Sequence, residues 1–513
     1  MSNGNVYRGF TFIAIGGALF GYVIGITGNV VTTGALVCDP NNMSDMQVGG
    51  FWEIGYDLCY ELSDLAKGWV SSLNIIAATL SSLICFRYAD KLGRKREALV
   101  GAVLYFVGAT LAAVGPNLFF ILLGLSIYGL GIGFAMHAAP TYIAEISPPS
   151  IRGSLVSAKE AIIVCGICAG FGVGAALAGA GWSWRWIMSV GSVLAVVMFL
   201  GILTIPRSPR WLVLRAAQEG RDGTTLMNTQ VERYVKEARE SLQFFRLGVS
   251  EQEVETELQS LLQDARSSVG TAPAKWSDAF NYPKPLIIGC GLVTLQQVTG
   301  QPSVLYFATN IFKDAGFSNT AALASFGVGF VKLIATLTTV WQIDKFGRRP
   351  LLVIGTSIML AALVAVGVAF LNRECAKPVP IDECQQNDVS LPFGWAIVSV
   401  VALAMYTAGY QVGFGPISWL MISEVFPLNV RGAALSIAAV VNFTMNVVVT
   451  TVQPTLLSAI TPSGVFFTYA VLCVVSILFV VGVVPETKGK TLEEIETMLV
   501  GRRGGKMEAE MHA

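Results

Sequence analysis

A chain of 513 residues that is 53% hydrophobic and only 13% charged has too little polar surface to cover itself in water, which excludes a soluble globular protein and points to a bilayer. Its 34 basic and 34 acidic side chains balance, which argues against nucleic-acid partners. With two histidines, no phosphate-cradling loop, no metal-ligand cluster and no nucleophile elbow, the chain offers no support for an enzyme, a metal site, any other cofactor or a histidine proton relay.

Crossing hydrocarbon takes about 20 apolar residues. Twelve runs of that kind follow one another, at about 9–33, 68–88, 98–115, 118–143, 155–179, 185–205, 284–312, 322–342, 350–371, 393–422, 433–457 and 463–484. Only Arg8 precedes the first, and no cleavage site follows it, so it is expected to stay in the mature protein; an Arg- and Ser-rich transit peptide is not evident either. The segment 34–66 carries Asp39, Asp45, Glu53, Asp57, Glu61 and Asp64 and no Lys or Arg. Basic residues cluster at the opposite ends of the runs, at Arg87, Lys91, Arg94, Lys95, Arg96, Arg152, Arg207, Arg210, Lys345, Arg348, Arg349, Arg431 and Lys488. Positive charge near span ends marks the cytoplasm, so both termini and residues 206–283 are expected there, with 34–66 outside or in a lumen.

That outer side also holds Cys38 and Cys59 in one loop and Cys375 and Cys384 in another. Disulfides or four free thiols both fit, since pairing cannot be read from spacing. Asn42-Met-Ser44 is a weak glycosylation sequon on the same side. Residues 206–283 break the apolar rhythm with amphipathic stretches, Val231–Phe245 and Glu251–Ala265, which predict helices along the cytoplasmic surface. The expected organisation is a six-helix bundle at 1–205, a helical linker at 206–283, a second six-helix bundle at 284–484 and a tail at 485–513.

The two halves are related. Asp90-Lys-Leu-Gly-Arg-Lys95 recurs as Asp344-Lys-Phe-Gly-Arg-Arg349, Glu145-Ile-Ser-Pro-Pro-Ser-Ile-Arg-Gly153 as Glu424-Val-Phe-Pro-Leu-Asn-Val-Arg-Gly432, and Pro206-Arg-Ser-Pro-Arg210 as Pro485-Glu-Thr-Lys-Gly489. Three motifs repeated in one order mean two like halves with unequal inserts, the build of parallel-repeat transporters.

With Gln296-Gln-Val-Thr-Gly300 and Gly413-Phe-Gly-Pro-Ile-Ser-Trp419, these motifs make the chain resemble a sugar porter of the major facilitator superfamily from about residue 9 to 497. The phrasing Ala135-Met-His-Ala-Ala-Pro-Thr-Tyr142, Gln296–Tyr306 and Gly415–Glu424 is most similar to the plant vacuolar glucose transporter and xylose-symporter-like group. The resemblance implies an all-α membrane protein of twelve transmembrane helices in two bundles, working by alternating access as a monomer among membrane lipids, with a small sugar as partner.

Physical chemistry assigns roles within that frame. The Asp-x-x-Gly-Arg-Arg turns place an acid beside guanidinium forks, with Glu145, Arg152, Glu424 and Arg431 as partners from neighbouring helices. The network Asp90, Arg94, Glu145, Arg152, Asp344, Arg348, Arg349, Glu424 and Arg431 can latch an outward-open state and must break for inward opening; topogenic charge alone would not need an Asp and a Gly at fixed spacing. Polar side chains at mid-membrane are expensive unless used. Gln296, Gln297, Gln301, Gln411, Asn442 and Asn446 offer donors and acceptors to a hydroxyl-rich molecule, Trp419 offers an apolar wall, and Glu160 occupies the place where many relatives use a glutamine. The alternative for any single amide is a hydrogen bond to the next helix. Tyr306 and Phe307, one turn past the Gly300/Pro302 break, are expected to close over the sugar from outside.

Two departures bear on coupling. Proton-coupled relatives pair an acid of the first helix with an arginine of the fourth, but Phe20-Gly-Tyr-Val23 ends in valine and Gly124 is followed by Leu125. Joint loss of both charges reads as a carrier freed from protons. Against this stand Glu160 and Lys332, two intramembrane charges that either neutralise each other across the halves or each find a local partner. The expectation is therefore a facilitative hexose carrier, with glucose foremost, in a plasma membrane or a vacuolar or other organelle membrane. A proton symporter using Glu160 is the alternative, and a non-transporting sugar sensor the alternative of another class.

Overall fold

In a computed structural model, residues 4–32, 36–38, 47–55, 58–177, 183–220, 225–268, 276–317, 320–375, 389–427, 430–490 and 492–500 are described. At a few helical positions, among them Asp90, Arg152 and Asp344, only the backbone is described. The first half contains α1 (Gly4–Thr32), a two-residue parallel pairing of β1 (Gln47–Val48) with β2 (Leu58–Cys59), α2 (Asp64–Leu92), α3 (Arg94–Val114), α4 (Leu118–Ile146), α5 (Pro149–Ala176) and α6 (Ser183–Leu203). Four shorter helices follow: α7 (Pro209–Glu219), α8 (Thr225–Phe245), α9 (Glu251–Ser268) and α10 (Trp276–Ala279). The second half contains α11 (Pro283–Val298), α12 (Gln301–Tyr306), α13 (Ala308–Asp314), α14 (Ala321–Phe346), α15 (Arg348–Leu371), an antiparallel pairing of β3 (Glu374–Cys375) with β4 (Val389–Ser390), α16 (Phe393–Val412), α17 (Gly415–Val425), α18 (Arg431–Val483) and, past it, α19 (Leu492–Val500).

Ten of these stretches are long and apolar enough to cross a membrane. One of them, α18, runs 53 residues and turns at Ile460 and Thr461 (φ 63°), just before Pro462; at that length it is two spans. The twelfth span is the predicted run 284–312, which is divided into α11, α12 and α13. Gly300, at φ +98°, ends α11 in a conformation that costs a side chain but not glycine, and Pro302 then starts α12 without needing an amide partner. The same economy explains the repeated Asp-x-x-Gly-Arg turns. Gly93 (φ 84°) and Gly347 (φ 91°) let each span reverse directly into the next.

Each half buries its own core, Val6 to Phe245 in the first and Ile288 to Val484 in the second. In the first, α1 and α5 approach so closely that a Cβ on Gly21 would lie 1.9 Å from Ile163 O, and one on Gly166 2.1 Å from Ala18 O. Small residues permit such backbone contact where lipid supplies no hydrophobic drive.

The linker stretches form helices that also pack on one another. α7, α8 and α9 bury Trp211, Leu212, Leu242, Val254 and Leu258 against one another, because three amphipathic faces can cover each other. This unit docks on the first half: Arg246 donates to Ile146 O at 2.9 Å at the end of α4, and Asn5 donates to Phe244 O at 2.7 Å.

The two ends of the molecule differ. One carries a Cys38–Cys59 disulfide, and Cys375 is disulfide-bonded as well, while Cys384, Asn42 and Ser44 lie outside the described residues. The halves meet toward this end. Ser72 and Thr451 hydroxyls are 2.8 Å apart, a Cβ on Gly28 would come within 2.7 Å of Tyr306 O, and Tyr306, Phe307 and Leu305 pack with Ile24, Ile75 and Phe171. The other end carries the repeated basic turns.

Candidate functional site

Where α11 breaks, its last turn presents Gln296 and Gln297 to α18, whose Asn442 and Asn446 lie one turn apart on a shared face. Asn442 Nδ2 donates to Gln296 Oε1 at 3.2 Å, and Asn446 Nδ2 to Gln297 Oε1 at 3.1 Å. Gln296 Nε2 reaches Phe414 O at 3.3 Å, at the joint between α16 and α17. Thr450 donates to Asn446 Oδ1 at 3.3 Å. These four predicted amides are thus brought together as two rungs. Among the described residues, the Gln297 amide NH2 and the Asn442 carbonyl have no hydrogen-bond partner, so the rungs retain capacity for a polar ligand.

Gln411 is placed differently. It is fully buried, its Oε1 accepts from Lys332 Nζ at 2.9 Å, and its Nε2 donates to Thr336 Oγ1 at 2.5 Å. The Lys332 ammonium, 2% exposed, also lies 4.7 Å over the Tyr410 ring. Gln301 lines one small cavity with Lys332, Tyr406, Thr407 and Tyr410. Glu160, half-buried on α5, acts electrostatically on Lys332 and Tyr410, yet it makes no ion pair with Lys332 within 4 Å among the described residues. Of the two arrangements left open by the sequence, the local partner is thus what Lys332 has. Trp419 is half-buried on α17, against the second core. Tyr306 and Phe307 are both buried, and among the described residues the Tyr306 hydroxyl has no partner.

In the first half, Val23 and Leu125 line one small cavity together with Ile26, Ala109 and Met188. The surrounding tyrosines turn their hydroxyls to backbone carbonyls: Tyr22 to Ile187 O (2.6 Å), Tyr105 to Gly16 O (3.0 Å) and Tyr128 to Leu19 O (2.8 Å).

At the end carrying the basic turns, Arg94 pairs with Glu145 at 3.0 Å and Arg348 with Glu424 at 3.0 Å, each pair within one half. Arg431 donates to Phe426 O at 3.2 Å. Arg349 donates to Val481 O. The side chains of Asp90, Arg152 and Asp344 lie outside what is described. Sequence reasoning missed Glu486, which accepts the backbone N–H groups of Arg348 (3.2 Å) and Arg349 (3.0 Å) and so caps α15. The signal was available, because Pro-Glu-Thr-Lys-Gly holds an acid where Pro-Arg-Ser-Pro-Arg holds Arg207, and Arg207 instead pairs with Glu237 of the linker at 3.1 Å. Also missed was His137, whose Nδ1 lies 2.7 Å from the buried Glu97 carboxylate. No repeat or spacing pointed to that pair.

The family model for "Sugar (and other) transporter" matches residues 10–499. The D-xylose-proton symporter-like 2 of Arabidopsis thaliana is 39% identical, covering 95% of this chain and 89% of that one. The D-xylose transporter of Levilactobacillus brevis is 32% identical, covering 98% and 97%. Among solved structures, the inward-open xylose transporter XylE from E. coli superposes with a TM-score of 0.72 at 24% identity, covering 96% of this chain and 100% of that one. A polar amide ladder within twelve spans, and a family match over nearly the whole length, place this integral multi-pass membrane protein among the sugar transporters of the major facilitator superfamily.

Proposed function

We propose that the protein carries a hexose, glucose foremost, down its gradient by alternating access, without proton coupling. The observation that carries the uniport reading is the apolar cavity shared by Val23 and Leu125, which leaves the first half with no acid–base pair at the place where coupled relatives keep one. Gln296, Gln297, Asn442 and Asn446 bind the hydroxyls, with Gln301, Gln411 and Glu160 around them and Trp419 as the flat wall. Residues 1–205 and 284–484 rock as two bodies, with 206–283 and the tail 485–513 on the cytoplasmic side together with both termini. Contacts between the halves at the disulfide end correspond to an inward-facing state, with Tyr306 and Phe307 closed. Within-half pairs Arg94–Glu145 and Arg348–Glu424 leave the cytoplasmic latch, to which Asp90, Arg152, Asp344, Arg349 and Arg431 belong, undone between the halves.

A second reading, proton symport through Glu160, is favoured by the names of the Arabidopsis relatives and by the proximity of Glu160 to Lys332. Uptake of D-glucose into proteoliposomes, with and without an inward proton gradient and an uncoupler, separates the two. Uptake that equilibrates regardless of the gradient supports uniport; accumulation that the uncoupler abolishes overturns it in favour of symport.

A further inference from the structure

The Lys332 ammonium is an unusual occupant of a sugar cavity. It sits on α14, essentially sealed from solvent, with Gln411 Oε1 at 2.9 Å and the Tyr410 ring face at 4.7 Å. Glu160 lies on the facing half and acts on it from beyond ion-pair distance. An ammonium has three donors and no acceptor, so two N–H groups remain beyond the one given to Gln411. The amide beside it has no such freedom. With Lys332 on its carbonyl and Thr336 on its NH2 at 2.5 Å, Gln411 can take only one of its two flipped orientations. Thr336 gives its own hydroxyl proton to Lys332 O at 2.7 Å, so it can only accept from Gln411 Nε2, and the ammonium and the hydroxyl impose the same orientation. Lys332 lines a narrow crevice with Gln301, Tyr406 and Thr407, the place where its spare N–H groups would meet a ligand.

We infer that Lys332 determines sugar specificity: together with Thr336 it holds the orientation of Gln411, and it presents its own remaining N–H groups to an acceptor oxygen of the bound monosaccharide. This rests on the reading of the cavity as a hexose site and deepens it. A site that donates through a buried, charge-assisted hydrogen bond discriminates strongly against an analogue lacking that oxygen, because the donor is then left unpaired. Lys332 is therefore a reader of one ring position rather than a general anchor.

The test uses the full chain in proteoliposomes, with D-glucose and its single-position deoxy analogues as probes, in wild type, Lys332→Met, Gln411→Leu and the double variant. In wild type, one deoxy analogue is expected to show a KM raised about tenfold or more over glucose, with smaller effects elsewhere. Lys332→Met is expected to raise the glucose KM by about tenfold with a smaller change in kcat, and to abolish discrimination against that one analogue. Gln411→Leu shifts the same analogue, and the double variant is no worse than the more severe single variant, since the two act as a unit. A Lys332→Met protein whose KM stays within about twofold overturns the inference. So does a uniform loss across all analogues, which a merely structural lysine would give, or single-variant effects that multiply. If Lys332→Met does not reach the membrane, Gln411→Leu alone decides, because it must shift one analogue and not the others. A wild type that takes up no hexose overturns the hexose reading itself, an outcome visible before any variant is measured.

Discussion

The two halves descend from one repeat, yet they place polar groups in opposite ways. At the centre of the first, Val23 and Leu125 face a common apolar cavity and each neighbouring tyrosine spends its hydroxyl on a backbone carbonyl. In the second, Gln296, Gln297, Asn442 and Asn446 bond to one another side chain to side chain, Lys332 holds Gln411, and Ser303, Gln453 and Tyr469 form a buried triangle with Ser303 donating to Gln453 Oε1 at 2.8 Å and Tyr469 donating to it at 2.6 Å. Carbonyl-directed hydroxyls are satisfied whatever the ligand does. Amide pairs can exchange a partner for a sugar hydroxyl at little cost, because both states keep the groups bonded. On the proposed reading the first half serves as a framework and the second as a receptor.

That contrast can be broken most severely by putting charge into the framework. Val23→Asp alone leaves a carboxylate in an apolar cavity and is expected to cost about 3–5 kcal/mol, read as lost monodisperse protein and a lowered melting temperature in detergent. Adding Leu125→Arg is expected to restore folding and to make uptake rise as external pH falls, because the new acid must be protonated to release its partner. A well-folded double variant with an unchanged pH response would sink the idea that these two positions set coupling.

A weaker blow is steric. Gly21→Ala drives a methyl into Ile163 O and is expected to cost about 1–3 kcal/mol or more, whereas Gly432→Ala, on α18 of the second half with nothing within 4 Å of the new carbon, is expected to be neutral. Comparable melting temperatures for the two would contradict the claim of a tight first-half seam. Among the α11–α18 amides, Gln296→Leu is expected to raise the sugar KM about tenfold, measured by initial-rate uptake, and to lower the melting temperature less than Gly21→Ala does, since it unpairs only the Asn442 NH2 and Phe414 O. The smallest effect falls on the linker: Arg239 and Glu255 pair at 2.9 Å but are 51% and 40% exposed, so Glu255→Ala should change stability by under about 0.5 kcal/mol.

Much of this architecture is legible in the sequence, for identifiable reasons. Twelve apolar runs and three repeated motifs report span number and duplication, because hydrocarbon thickness and a positive-φ glycine leave one-dimensional traces. The break at Gly300–Pro302 is visible for the same reason, and the α11–α18 amides stand out because polar groups are rare in spans. The partner of each polar group is not legible. Lys332 with Gln411, His137 with Glu97 and Arg246 with Ile146 O join residues distant in the chain, and helical periodicity fixes a face without naming what packs against it. The linker unit was only half visible, since amphipathicity announces an apolar face equally whether lipid or another helix covers it. α7 and α19 were missed because each is short and follows a span that dominates its hydropathy.

The glycine seam between α1 and α5 also sets rules for engineering. At Gly21, Gly25, Gly166 and Gly170 an added Cβ would come within 1.9, 2.4, 2.1 and 2.6 Å of a backbone oxygen on the facing helix, so libraries that randomise α1 or α5 at these places would be filled with unfolded clones. Variation aimed at new substrates belongs on α11, α14 and α16, where the side chains that meet the cavity can be exchanged without moving a backbone.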